Sequence, residues 1–145
     1  MGADDLKPAI NQVILTEWQA RWDNEPDCAL RRLHPSIGRW ESSSRRSRTE
    51  EVALTRLRIG HCYATHSHYL TSSDAPLCNY CNSALSVRHV LSPGDMCQQL
   101  KSIQSRYFAN TSVDDVLGDN ATVDIQRVLS YLQNIRFSIV YDPRF

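Results

Sequence analysis

Lysine is nearly missing from this 145-residue chain: there are two, and every other basic side chain is arginine. Sixteen basic and sixteen acidic residues cancel, so net charge does not announce a strongly basic nucleic-acid binder. The first residues, MGADDLKPAI, lack the basic start and apolar run of a secretory signal. They also lack the Ser or Thr of a myristoylation signal. No stretch approaches the roughly 20 apolar residues of a membrane span. These absences predict an intracellular protein, nuclear or cytoplasmic and not secreted, with reduced thiols. GxSxG, Walker and GxGxxG patterns are missing too, as is any carboxylate cluster of the kind that holds two catalytic metals. The chain on its own is therefore expected not to be an enzyme. Alternating strand patterns, internal repeats and low-complexity segments are almost or wholly lacking.

What the chain does have is helical periodicity. Leu6, Ile10, Ile14, Trp18 and Trp22 recur every four residues, predicting an amphipathic helix over 4–23 with Pro8 in its first turn. Both tryptophans are expected to pack in a core. Asn24-Glu25-Pro26 breaks that helix. One short turn follows at Ala29–Leu33, and Gly38, three consecutive serines and clustered arginines predict an exposed linker over 36–48. Ser47 and Glu50 have capping-box spacing at the start of a helix whose apolar face is Val52, Ala53, Leu54, Leu57 and Ile59, with Arg56 and Arg58 pointing elsewhere. Gly60 closes it. Thr65 caps a short helix ending near Leu70. Residues 98–108 continue as a helix, and Ser112 with Asp115 caps another that ends at Gly118. The clearest helix has Ile125, Val128, Leu129, Leu132 and Ile135 on one stripe, with Thr122 as its cap. The tail 137–145 is apolar up to Asp142-Pro143 and reads as a strand or simply as extended chain. The predicted class is all-α: a small helical module with an irregular loop.

Charge is uneven. Residues 1–28 hold six acids against Lys7 and Arg21, whereas 29–60 hold eight arginines against Glu41, Glu50 and Glu51. The planar fork of Arg suits phosphate. Arg45, Arg46, Arg48, Arg56 and Arg58 are thus candidate contacts to an RNA or DNA backbone, and a solvated Arg-rich surface is the competing reading.

Five cysteines in a reducing compartment point to metal before disulfide. Cys78-x2-Cys81-x7-His89-x7-Cys97, within an irregular loop at 77–97, supplies four ligands of the types and spacing that zinc takes. A thioredoxin-like redox pair would need a βαβ context that is missing. The turn Pro93-Gly94-Asp95 makes Cys97 the least secure of the four. Cys62 with His61, His66 and His68 forms a second group, read as a helix junction hydrogen-bonded to backbone, or else as the source of a replacement ligand. Cys28 stands alone and is expected to be a small buried hydrophobe.

Several blocks occur together and in order. They are Asp5-Leu6-Lys7-Pro8, Trp18-Gln19, Trp22-Asp23, the run Glu51-Val52-Ala53-Leu54-Thr55-Arg56-Leu57-Arg58-Ile59-Gly60-His61, then Thr65-His66-Ser67-His68-Tyr69-Leu70, then Cys78-x2-Cys81 with Ser86-Val87-Arg88-His89-Val90-Leu91. Together they resemble the region after the RNase H domain in non-LTR, LINE-like retrotransposon polyproteins of the jockey type, the tick-transposon group among them. The resemblance implies three segments. Residues 1–25 would be a helix trailing the RNase H domain, 26–48 an Arg/Ser-rich linker, and 46–145 a helical module around the Cys/His loop. It implies a non-catalytic fragment, because the reverse transcriptase and RNase H carboxylates would lie upstream. It also implies the RNase H and reverse transcriptase regions of the parent polyprotein as partners. The alternative is a structural or interaction appendage, or a relic with no retained activity. One departure matters: the family's last cysteine falls on Gly94, three residues before Cys97.

Overall fold

The stripe that ends the sequence pattern becomes the centre of the molecule. In the computed structural model, which describes residues 3–109 and 111–140, α8 runs Ile125–Asn134, and Val128, Tyr131 and Leu132 are fully buried. Each large apolar side chain so buried contributes on the order of 1.5–3 kcal/mol. Its N-cap is Asp124, whose carboxylate accepts the Gln126 N–H at 3.0 Å. Thr122 is not the cap: its backbone N–H is used by the Asp115 carbonyl at 2.9 Å.

The described residues form seven further α-helices: α1 Ala3–Asp23, α2 Ala29–Leu33, α3 Arg48–Ile59, α4 Tyr63–Thr71, α5 Val87–Leu91, α6 Gln98–Gln104 and α7 Val113–Leu117. The described residues contain no named strand, only an isolated antiparallel bridge between Leu77 and Ala84. The architecture is all-α. α2, α3 and α7 pack on one another, and α5 packs on α7.

Helix ends are closed locally. Ser112 and Asp115 form the expected reciprocal cap of α7. Gly60 ends α3 at φ +76°, a left-handed conformation that a Cβ would disfavour. Ser47 is the N-cap of α3 by position, but the expected box with Glu50 does not form. Glu50 instead accepts from Gln126 of α8, and Glu51 binds the Arg45 N–H and the Arg48 guanidinium. Cys62 caps α4, and Thr65 in the first turn accepts the Cys62 N–H. Two more orphan N–H groups of α4, on Tyr63 and Ala64, donate to the carbonyls of Ile139 and Ser138. Residues 138–139 are thereby fixed to the start of α4. The rest of the expected extended tail, 141–145, lies outside the described residues.

Two expectations change. Residues 36–48 are not a free linker: α2 precedes them, Glu41–Ser43 form a 3₁₀ turn, and Trp40, Ser42 and Ser43 pack around a buried arginine of α3. Nor do the tryptophans of α1 enter the core. Trp18 is 62 % exposed, and Trp22 is half-buried with its indole N–H on the His34 carbonyl at 3.0 Å. Leu6, Ile10, Val13 and Ile14 are exposed as well. α1 is attached mainly at its C-terminal end, where Gln19 holds Pro35 and Ile37. It begins early enough that Pro8 sits in its second turn and not its first.

Candidate metal centre

Cys78 and Cys81 stand on a tight reversal. The Cys78 N–H donates to Ser83 O, the Asn82 N–H to Cys78 O and the Leu85 N–H to Pro76 O, at 2.8–3.0 Å. Asn82 takes φ +57°, a left-handed value that Asn tolerates better than most residues. The reversal sets both sulfurs on one side. Ser86 then caps α5 by accepting the His89 N–H at 3.0 Å. That cap fixes the first turn of α5, and with it the His89 ring, which is buried with Nε2 3.4 Å from the Cys81 sulfur.

Cys97 completes the set. After α5 the Asp95 and Met96 N–H groups both fold back to the Ser92 carbonyl, Arg88 pairs with Asp95, and Met96 is buried. The turn at Pro93-Gly94 therefore returns the chain, and Cys97 arrives as the N-cap of α6. The ligand atoms of Cys78, Cys81, His89 and Cys97 all lie within 4.8 Å of one another, and they are the only such group among the described residues. The position where the resembled family has its cysteine, Gly94, is not needed.

The donor set fits a tetrahedral cation. Zinc, with bonds of about 2.3 Å to sulfur and 2.0–2.1 Å to nitrogen, keeps its ligand atoms roughly 3.5–3.8 Å apart. The His89–Cys81 distance already matches, and the widest pair needs to close by only about 1 Å. Electrostatics favours a cation as well. Hydrogen bonds from the Ser83 hydroxyl and backbone bring the Cys81 thiol down to about 6, with Cys78 and Cys97 adding to the effect. Burial pushes Cys78 the other way. A half-buried sulfur that is thiolate near neutral pH, beside two further sulfurs and an imidazole, gains most from a shared positive charge.

α8 supports the site from behind. The Tyr131 hydroxyl donates to the Val90 carbonyl at 2.8 Å, one residue from His89, and the phenol is fully buried. The Gln104 amide reaches the next carbonyl, Leu91 O, at 3.3 Å.

The second Cys/His group does not join. Cys62 is buried, and burial holds its thiol up at about 12. His61 and His66 stack at 4.0 Å, while Thr65 meets His66 Nδ1 at 2.7 Å. This is a packed helix junction. Cys28, expected buried, is half-buried at the cap of α2.

The arginines divide. Arg46, Arg48 and Arg56 are exposed, Arg48 in an ion pair with Glu51, and Arg45 is half-buried. Arg58 must be removed from the candidate phosphate contacts. It is 4 % exposed and its fork is taken: Nε donates to Leu117 O, Nη1 to Ser43 and Nη2 to Ser42, with Trp40 stacked beneath at 3.9 Å. On the other face of this cluster His34 stacks on Trp40, and its two ring nitrogens meet Asp119 and the Gly38 carbonyl. Sequence reasoning passed over this cage, yet one signal was present. Arg58 stands four residues after Leu54 and one after Leu57, on the apolar stripe itself.

Among the described residues no helix is long and apolar enough to cross a membrane. Comparison with family models, with curated proteins and with solved structures finds no match.

Proposed function

We propose that the chain is a non-catalytic, zinc-organised helical module, the C-terminal region of a non-LTR retrotransposon polyprotein, that works beside nucleic acid inside the cell. The observation that carries the zinc reading is the closure of Cys78, Cys81, His89 and Cys97 into one set of ligand atoms within 4.8 Å. Four protein ligands leave no open coordination position, which is the mark of structural and not catalytic zinc. When bound, the cation would tie the reversal at 78–83, α5 and the start of α6 to one point. The retrotransposon reading rests on the ordered sequence blocks. The nucleic-acid reading rests on Arg45, Arg46, Arg48 and Arg56, which face or partly face solvent.

Metal content measured on purified protein tests the centre. We expect one zinc per chain, lost in Cys78→Ser, Cys81→Ser and Cys97→Ser; a wild type that is folded and metal-free ends the reading. Affinity for single-stranded RNA and duplex DNA should fall steeply with salt as phosphate counterions are released. Arg46→Ala with Arg56→Ala should weaken it. Binding that ignores salt, or none, removes the nucleic-acid part alone.

A second reading, an interaction appendage, is favoured by one observation: the apolar stripe of α1 is exposed along its length.

A further inference from the structure

Four rings touch in series along α4 and the turn before it. His61 stacks on His66 with centroids 4.0 Å apart and planes 29° from parallel. His66 meets Tyr69 at 5.7 Å, and Tyr69 meets His68 at 4.0 Å. Tyr69 is nevertheless 73 % exposed, and His61 is exposed as well. The series therefore keeps open aromatic surface at two of its members. Because the rings already hold one another, little side-chain freedom remains to be lost when a further ring stacks on them.

The group is not a second metal centre. The Thr65 hydroxyl engages His66 Nδ1 at 2.7 Å, and among the described residues only the Cys78 set gathers three or more ligand atoms. Burial, with His61 and His68 close by, holds His66 below the ordinary imidazole range, so at neutral pH it presents an uncharged ring.

The surroundings suit a polyanion. No Asp or Glu occurs from Val52 to Ser73. Arg56 is near enough to favour the charged form of the Cys62 thiol, and Cys62 caps α4. Arg136 stands two residues before Ser138, whose carbonyl takes the Ala64 N–H in the first turn of α4. Both arginines are exposed, and neither makes an ion pair among the described residues. Open rings beside uncommitted arginines are the two parts of a single-strand site: faces on which bases stack, and cations that follow the phosphates. A duplex keeps its base faces covered and could use only the cations.

We propose that α4 and the turn before it form a stacking platform for the unpaired bases of a single-stranded nucleic acid, with Tyr69 and His61 as the stacking rings and Arg56 and Arg136 as the phosphate contacts. The platform rests on the nucleic-acid reading above and gives it a location and a strand preference. It is independent of the metal.

Fluorescence anisotropy on the full chain, at one fixed salt concentration, tests it with labelled oligo-dT, oligo-U and a duplex. Tyr69→Ala should weaken both single strands about tenfold and His61→Ala about fivefold. Both variants alter exposed side chains, so helicity and duplex binding should not change. Tyr69→Trp should bind as wild type does, because it restores a ring. An abasic strand should bind wild type as weakly as oligo-dT binds Tyr69→Ala. The tighter of oligo-U and oligo-dT tells whether RNA or DNA is the natural source of the bases. Binding to the duplex alone, single-strand binding that Tyr69→Ala leaves intact, or an abasic strand bound as tightly as oligo-dT overturns the platform and leaves the nucleic-acid reading standing. No binding to any of the three overturns both.

Discussion

Arg58 keeps its charge inside the molecule by directing its fork at acceptors from two places, the end of α7 and the 3₁₀ turn, while its guanidinium lies over the ring of Trp40. Burial lowers its pKa to about 10, still far above neutral, so it remains a cation there. Removing one end of such an arrangement leaves buried acceptors unsatisfied. Arg58→Ala should destabilise the fold by about 3 kcal/mol in urea titration, and Arg58→Lys should recover only part, since an ammonium lacks the planar fork. Arg56→Ala, two residues away yet exposed, should stay within roughly 0.5 kcal/mol of wild type. Equal effects at the two positions would contradict the division. The pair also shows where a residue's role is readable. Phase on the helix placed position 58 on the apolar stripe, but what satisfies its charge is distant. Ser42 and Asp119, linked by a 3.0 Å bond, are 77 residues apart, and no local pattern joins them.

At the scale of elements, the structure follows the sequence wherever the determinants are local. The α8 stripe, the left-handed Gly60 and the Ser112–Asp115 box depend on neighbours within a turn, and each forms as expected. The metal loop was legible for the same reason, since two ligands sit on one reversal and the others follow within sixteen residues of Cys81. Caps that lose to tertiary contacts were not legible. Glu50 is drawn to α8, and Thr122 is held by the Asp115 carbonyl. α1 is the opposite case: its periodicity told that a face would be covered, but periodicity carries no address for the partner. The cap of α7 makes a pH prediction. The Ser112 hydroxyl and backbone N–H hold the Asp115 carboxyl below its ordinary 3.8. A carboxyl lowered on folding stabilises fully above 3.8 and loses that contribution as pH falls through its folded value. Thermal midpoints below about pH 4 should therefore fall less steeply in Asp115→Asn than in wild type. An unchanged slope would mean that the box contributes nothing in solution.

For the whole molecule, the short elements are the main fact. α2, α5 and α7 have five residues each, far below the roughly 12–15 at which an isolated helix is even marginal in water. They persist through packing and, on the reading proposed above, through the cation. Chelation should therefore lower the thermal midpoint by more than about 10 °C and broaden the transition, because the free energy of metal binding is folding free energy here. Circular dichroism of zinc-loaded and stripped protein measures this; coincident melts would show that the ligands meet without a metal.

The hydroxyl of Tyr131 on Val90 has a consequence in time. Chains emerge from the ribosome N-terminal part first. All four sulfur and imidazole donors are thus synthesised before the residue that braces α5 from behind, which comes 41 positions after Val90. A nascent chain halted before α8 should hold zinc loosely and expose its thiols to alkylation, and completion of the last helix should shut the clasp. Tyr131→Phe in the finished protein should reproduce a mild form of that unfinished state: faster exchange of bound zinc with a chelator at nearly unchanged helicity.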